Sequence, residues 1–399
     1  MGDGLTLDRW EVMGQRLQPW FAAEMAELYG TPAVKGDGVL MGCPVWGKDY
    51  IERFTLYSLP SIGSPKNLAA LRGRCRIVLF IEPQAMPVMF RLTEWLRHSG
   101  IEFVFRTIPD WVIDMAREFE SQFVVLGCSQ NILAHMAGRA GMGFHMLMPD
   151  HVYAEGYFAN LMRLARKHNA IAQSGVSTRI ETAAEVLEQY RDDKGYALAI
   201  PDRVLGDISI DHMHPESRMH VVHADSFPNA IPKCHKLLWK QKDALRIHSC
   251  HVNPAWLGPE LTKKAPVAFT STMDTMLPEY VPPEAGFYVP TIDDGMAFIE
   301  ISTDRKPVLS KRVGEGEFAE WVLCQTSFTD DYWPYFNRPS LIPCTRREDG
   351  ATNELVETQL KQVHTILDKH RPALMAKFLQ QRLGNRFDRE RSLVSGRAA

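Results

Sequence analysis

Apolar residues recur at three- and four-residue spacing from Leu7 to Tyr29, where Trp10, Met13, Leu17, Trp20, Phe21, Met25 and Leu28 mark one helix face. Gly30 and Pro32 end that helix. Val39 to Val45 is instead a continuous apolar run, which suits an inner strand covered on both sides. A helix from Asp49 to about Ser61 follows, with Ile51, Phe54, Tyr57 and Leu59 inward. The alternation repeats: strand Arg76 to Ile81, helix Met86 to His98, strand Ile101 to Thr107, with turn signals at Gly100 and Pro109. Ile132, Leu133, Met136 and Ala140 share the face of a further helix, which Gly141 and Gly143 stop. The apolar stretch Phe144 to Met148 then reads as a buried strand ending in Pro149-Asp150-His151, and another amphipathic helix begins near Gly156. Strands and helices alternating at this length predict an α/β fold around a doubly wound, mainly parallel sheet. Right-handed crossovers gather the strand ends on one edge, where such sheets bind ligands.

Beyond Gly156 the pattern predicts a strand from Ala170 to Val176 and a helix from Glu181 to Arg191 with Ala183, Val186, Leu187 and Tyr190 inward. Leu245 to Leu257 reads as one strand whose alternate side chains Ile247, Ser249 and His251 share a face. Val267 to Met273 and Met296 to Ser302 are further strands, and Asp293-Asp294-Gly295 reads as a turn. The aromatic stretch Phe318 to Phe336 suits packing or a platform for sugar rings, and Asn353 to Gln381 is one long helix. Three parts are expected: a helical extension over 1–37, a main domain over 38–310, and a C-terminal extension over 311–399.

Composition adds exclusions. With 399 residues, 45% hydrophobic and 23% charged, the chain buries a sizeable core and has ordinary globular composition. No apolar run reaches the roughly 20 residues of a membrane span. The opening MGDGLTLDRWEVM lacks the order of a signal peptide. Seven cysteines without a Cys-x-x-Cys motif suggest reduced thiols and a cytoplasmic setting. A net charge of −3 gives no general attraction to nucleic acid. The end of the chain is the exception: Lys369, Arg371, Lys377, Arg382, Arg386, Arg389, Arg391 and Arg397 face only Asp388 and Glu390. This basic tail is either a solvated helix end or a peripheral dock for an anionic membrane or acidic partner. The N-terminal helix packs on the core or on a second subunit.

The candidate chemistry sits at Asn131-x-x-Ala134-x-x-x-Gly138, the apolar strand and Pro149-Asp150. That pattern resembles the core of the GT-A nucleotide-sugar glycosyltransferases. The resemblance covers roughly residues 38 to 305, and it implies a Rossmann-like fold with a nucleotide-diphosphate sugar as donor substrate. In those enzymes the loop after the strand carries an Asp-x-Asp motif that holds a divalent metal and the donor diphosphate. Here the letters are Asp150-His151-Val152, so the second acid is missing. Asp150 read by itself equally well caps a following helix.

By the same resemblance, the loop around Pro44 and Trp46 touches the nucleoside base, and Trp46 or Tyr50 stacks on it, a contact worth about 1–3 kcal/mol. Read without it, Trp46 covers the sheet edge. The resemblance also makes Glu82 a hydrogen-bond acceptor for the base and sets Asn131, Arg139 and Asp150 toward the donor. A lone carboxylate about 4 Å from a phosphate oxygen is repelled by roughly 4 kcal/mol at an effective dielectric near 20. Asp150 therefore either holds Mn²⁺ or Mg²⁺ or faces sugar hydroxyls, and Lys48 and Arg139 supply positive charge to the leaving group.

A late histidine commonly completes the metal shell in the resembled family, with His251 the first choice here and His248 the second. Asp274, after the strand ending at Met273, is the candidate catalytic carboxylate. His212, His214, His220, His223, Cys234, His235, His248, Cys250 and His251 crowd one stretch, yet none of their spacings matches a structural zinc motif. Three functions follow in order: a glycosyltransferase of hexosyltransferase type, a non-catalytic binding or assembly protein on the same fold, and a histidine-rich metal-dependent hydrolase.

Overall fold

The computed structural model describes residues 7–30, 36, 38–121, 123–223, 226–234, 236–249, 252–267, 272–273, 277–282, 285–305, 308–325, 336–346 and 350–395. Its strands in chain order begin with β1 (Val39–Val45), β2 (Cys75–Ile81), β3 (Glu102–Thr107) and β4 (Gly143–Met146). Then come β5 (His151–Tyr153), β6 (Ala170–Gln173), β7 (Ser177–Arg179), β8 (Ile231–Pro232) and β9 (Lys236–Lys240). The last are β10 (Ala244–Ser249), β11 (Asn253–Leu257), β12 (Phe298–Ser302), β13 (Arg312–Val313) and β14 (Ser340–Pro343).

The central sheet has the order β3-β2-β1-β4-β11-β6. β1 runs parallel to β2 and β4, and β2 parallel to β3, whereas β11 is antiparallel to both its neighbours. The fold is thus mixed α/β around a mixed sheet. β1 is buried along its whole length because helices cover both faces. Leu40, Val78, Phe80, Phe144 and Met146 enter a core shared with the helices Leu7–Gly30, Asp110–Glu118 and Phe123–Ala140. Val39, Met41, Cys43, Val45, Ile77, Leu79 and Ile81 face the other way, against the helical turns around Phe54 and Leu59 and the helix Tyr157–Ala165. This alternation of near-neighbour residues between two cores is the period of a strand. Gly42 permits a close approach within β1: a Cβ there would lie 2.7 Å from the Leu133 side chain and 2.6 Å from the Val78 carbonyl.

Two smaller sheets flank this layer. β12 lies between β5, antiparallel, and β7, parallel. β10 lies between β9 and β14, both antiparallel. A third core joins these sheets through Val152, Ile299, Leu245 and Ile247. A fourth lies between β9 and the helices Glu315–Gln325 and Asn353–Ser395, with Leu237 and Trp239 against Phe318, Val356, Leu360 and Val363.

Two expectations change, and a third lies largely outside the described residues. The stretch expected as one strand near 245–257 is two, β10 and β11, in different sheets. Asp150 precedes a strand rather than a helix, so it caps nothing. The strand expected over Val267 to Met273 lies largely outside the described residues, as do residues 326–335 of the aromatic stretch. Among the described residues no helix is long and apolar enough to cross a membrane.

Candidate functional site

The chain runs outward from β1 through β2 to β3 and then returns to place β4 on the opposite side of β1. At such a reversal the two loops leaving the carboxyl ends diverge and open a crevice. Here those loops are Trp46-Gly47 after β1 and Leu147 to Asp150 after β4. Gly47, with φ 75°, turns the chain sharply into the helix Lys48–Arg53. The last residue of that helix reaches Asp150.

Arg53 Nη1 lies 3.9 Å from Asp150 Oδ2, with only 13% and 17% of the two side chains exposed. Nη1 also donates to the Ile301 carbonyl at 3.1 Å, and Nε to the Asp49 carbonyl at 3.0 Å. The Tyr50 ring lies under the guanidinium, 4.2 Å from its carbon. The backbone of Asp150 is fixed too, its carbonyl accepting from Ile301 N at 2.8 Å. At this separation and an effective dielectric near 20 the attraction is about 4 kcal/mol, offset by the cost of drying both charges. Burial, reinforced by the Asp150 charge, pushes the neighbouring Cys43 thiol well up.

Next to this edge lies a buried polar network. His145 Nδ1 sits 2.6 Å from the Ala255 carbonyl, which only accepts, so Nδ1 carries the proton and Nε2 offers a lone pair. Nε2 and His151 Nδ1 each lie 3.4 Å from the Tyr153 hydroxyl. Desolvation holds His145 down to about 4 and His151 to about 3, so both imidazoles are neutral at pH 7. Beside His151 in the sheet, Glu300 pairs with Lys236 at 3.1 Å and accepts from the Ser177 hydroxyl at 3.0 Å. The apolar reading of β4 hid this network, since only His145 interrupts that strand.

The expected site residues scatter more than the sequence suggested. Trp46 is half-buried at the crevice, against the first core. Pro44 is buried within β1, opposite Phe80. Glu82 follows β2 at the same edge and accepts from Gln84 Nε2 at 2.9 Å. Lys48 is exposed and pairs loosely with Glu52 at 3.8 Å. Asn131 is buried in mid-helix, donating to the Pro266 carbonyl at 2.8 Å and to the Tyr280 hydroxyl. Its observed work is to tie the helix to the chain after β11.

Arg139 stands at the other edge of the sheet. Its helix ends just before β4 starts, where Gly36 N donates to the Ala140 carbonyl and Gly143 N to the Gly38 carbonyl. The Arg139 guanidinium lies 5.0 Å from the Tyr29 ring centre. A residue that precedes a parallel strand cannot reach the crevice at that strand's far end, so Arg139 gives no charge to Asp150's side.

His248 lies in β10, outside the central sheet, and is 2% exposed. Its Nδ1 sits 2.8 Å from the Phe336 carbonyl, and its Nε2 accepts from Arg246 Nε at 2.9 Å. Both ring nitrogens are therefore occupied, and a metal would have to break one of these bonds. Burial lowers its pKa to about 3. His214 and His220 serve other partners, Thr303 O with Glu216 N and the Ser310 hydroxyl. His251 and Asp274 lie outside the described residues.

Among the described residues no three His, Cys, Asp or Glu side chains converge to hold a metal ion. The one carboxylate of the crevice loop is opposed by a guanidinium. The described residues by themselves thus offer Mn²⁺ or Mg²⁺ a single carboxylate, where such ions take several oxygen ligands. Compared with known proteins, the sequence matches no family model and no curated protein significantly.

Proposed function

We propose that this protein is a GT-A-like glycosyltransferase that moves a sugar from a nucleotide-diphosphate donor to an acceptor. The observation that carries the reading is the Arg53–Asp150 pair at the reversal point between β1 and β4, with Trp46 following β1 at the same edge of the sheet. The half-buried indole of Trp46 offers a stacking face for the base, and Glu82, one strand away, offers an acceptor for a base N–H. Transfer leaves a nucleoside diphosphate whose charge needs a cation close by. The described donor set supplies too few oxygens for a divalent metal. Arg53 is the cation at hand, and its planar fork matches phosphate oxygens. Asp150 holds that guanidinium in place and accepts from sugar hydroxyls. On this reading the enzyme works in the cytoplasm, with its basic end against an anionic membrane surface.

The test combines binding and turnover. Uridine or guanosine diphosphate should raise the melting temperature, and the matching nucleotide sugars should release nucleoside diphosphate in the presence of acceptor. Arg53→Ala should lower turnover at least a hundredfold, in line with the loss of one preorganised charge-stabilising donor. Equal stabilisation and turnover in wild type and Arg53→Ala would overturn the assignment. The Arg53–Asp150 pair also supports a second reading, a donor-binding protein without transfer, since a self-neutralised site can be stable without substrate. Stabilisation by nucleotide with no diphosphate release from any nucleotide sugar would favour it.

A further inference from the structure

A second pocket lies far along the chain from the crevice loops, where the first turns of the helix Asn353–Ser395 cross β9. Its volume is about 430 Å³, within the roughly 300–1,000 Å³ of small-molecule sites. Trp239, 1% exposed, is among the residues lining it, and Val221, Val222 and Leu355 give it apolar walls. Two contacts pin the helix to the strand: Ala351 N donates to the Lys240 carbonyl at 2.7 Å, and Gln241 Nε2 to Asn353 Oδ1 at 2.6 Å. The cleft is therefore built from fixed elements.

Three of its polar side chains, Gln359, Arg218 and Lys240, present donors, and His223 also lines it. Gln359 is 4% exposed, and its Oε1 accepts from the Trp239 indole at 2.8 Å. An indole N–H can only donate, so the orientation of the amide is settled, and its Nε2 has no hydrogen-bond partner among the described residues. Arg218 and Lys240 stand at the same pocket, and neither side chain has an ion pair or hydrogen bond among the described residues. No acidic side chain lines the pocket among the described residues. A buried polar side chain with unused donors, two uncompensated cations and apolar walls are complementary to one kind of ligand.

We propose that this pocket binds an anionic amphiphile: a carboxylate or phosphate head held by Arg218, Lys240 and the Gln359 amide, with an apolar body against Val221, Val222 and Leu355. The inference is independent of the donor site proposed above, since it shares no residue with it. The probes are decanoate, decyl phosphate and decanol, titrated calorimetrically into the full chain below their aggregation concentrations. One of the two anions should bind with one site per chain and at least tenfold more tightly than decanol, and the better of the two identifies the head group.

The decisive variant is Gln359→Glu. A carboxylate still accepts from Trp239, so the indole keeps its bond, but the inward donor becomes a negative charge. Anion affinity should fall more than tenfold while decanol binding is unchanged. Leu355→Trp, which fills the cleft, should remove binding of all three probes. The proposal is overturned if no anion binds, if decanol binds as tightly as the anions, or if a folded Gln359→Glu protein keeps wild-type anion affinity.

Discussion

Taking the protein from pH 7.5 to pH 5.0 should destabilise it through three imidazoles. His145, His151 and His248 are between 2% and 4% exposed, and desolvation holds them at about 4, 3 and 3. A histidine in the unfolded chain titrates near 6.5. The folded values lie below the unfolded one, so the unfolded state takes up protons first. The stabilisation is fully present above about pH 6.5 and is lost as pH falls toward the folded values. At pH 5.0 the interval crossed is about 1.5 units, or about 2 kcal/mol for each histidine and about 6 for the three.

Glu24 and Asp202 work in the opposite sense, because burial pushes their carboxyls up, and His135 and His364, also lowered by burial, work in the same sense, so about 6 kcal/mol stands for the three histidines alone. It is nonetheless comparable with the about 5–15 kcal/mol that holds most proteins folded. Burial is the main cause of the depression, and at His248 the charge of Arg246 adds to it. His248 Nε2 already accepts from Arg246, so a proton placed there would face another N–H. The assay is urea unfolding followed by tryptophan fluorescence at both pH values, for wild type and His248→Gln. The variant should lose about one third of the pH dependence. A wild-type midpoint that does not move between pH 7.5 and 5.0, or a variant with the wild-type slope, would refute the reasoning.

Three further outcomes follow from the packing. Gly143→Ala should cost about 1–3 kcal/mol or more in urea unfolding, because its Cβ would lie 1.9 Å from the buried Trp256 ring; a loss below about 0.5 kcal/mol would show that the ring yields. Of seven cysteines, five thiols that form no disulfide, Cys43, Cys75, Cys128, Cys234 and Cys344, are buried. Burial pushes the first four of those thiols up, so at most two thiols should react with a disulfide reagent at pH 8 before unfolding, and a third fast-reacting thiol would contradict the packing. Truncation after Leu374, which packs on the fourth core, should keep the fold and abolish binding to anionic vesicles at low salt; a wild type that does not bind them removes the membrane role.

The first half of the fold was legible because its inner strands are short apolar runs bounded by turn residues. Val39–Val45 falls where the pattern set it, and Cys75–Ile81 and Glu102–Thr107 differ from expectation by a single residue at one end. The N-terminal helix was equally plain from its period, while the C-terminal helix begins at Asn353 as expected but runs to Ser395 rather than Gln381. What stayed hidden depends on partners distant in sequence. Arg53 sits between Ile51 and Phe54 on an amphipathic helix and reads as a solvated flank; only the reversal at β1 brings it to Asp150. Its place one helix length after a strand end was the available signal. The break between β10 and β11 leaves no mark on hydrophobic alternation, which passes through both, so His248 looked closer to Asp150 than the two sheets allow. Arg139 was assigned by its place in a motif, whereas the direction of β4 decides which edge it serves.

The antiparallel strand β11 has a consequence for how the chain is made. It fills the gap between β4 and β6, and about 110 residues separate Met146 from Leu257. At about 5–20 residues per second, a ribosome needs roughly 5–20 s to deliver β11 after β4 has emerged. During that interval β4 and β6 have open edges, and Phe144 and Ile171 lack the cover that Leu257 and Trp256 later give. Unpaired apolar edges invite pairing with other chains. The nascent protein thus passes through a window in which a holding chaperone, or slower synthesis upstream of Asn253, decides between a closed sheet and an aggregate.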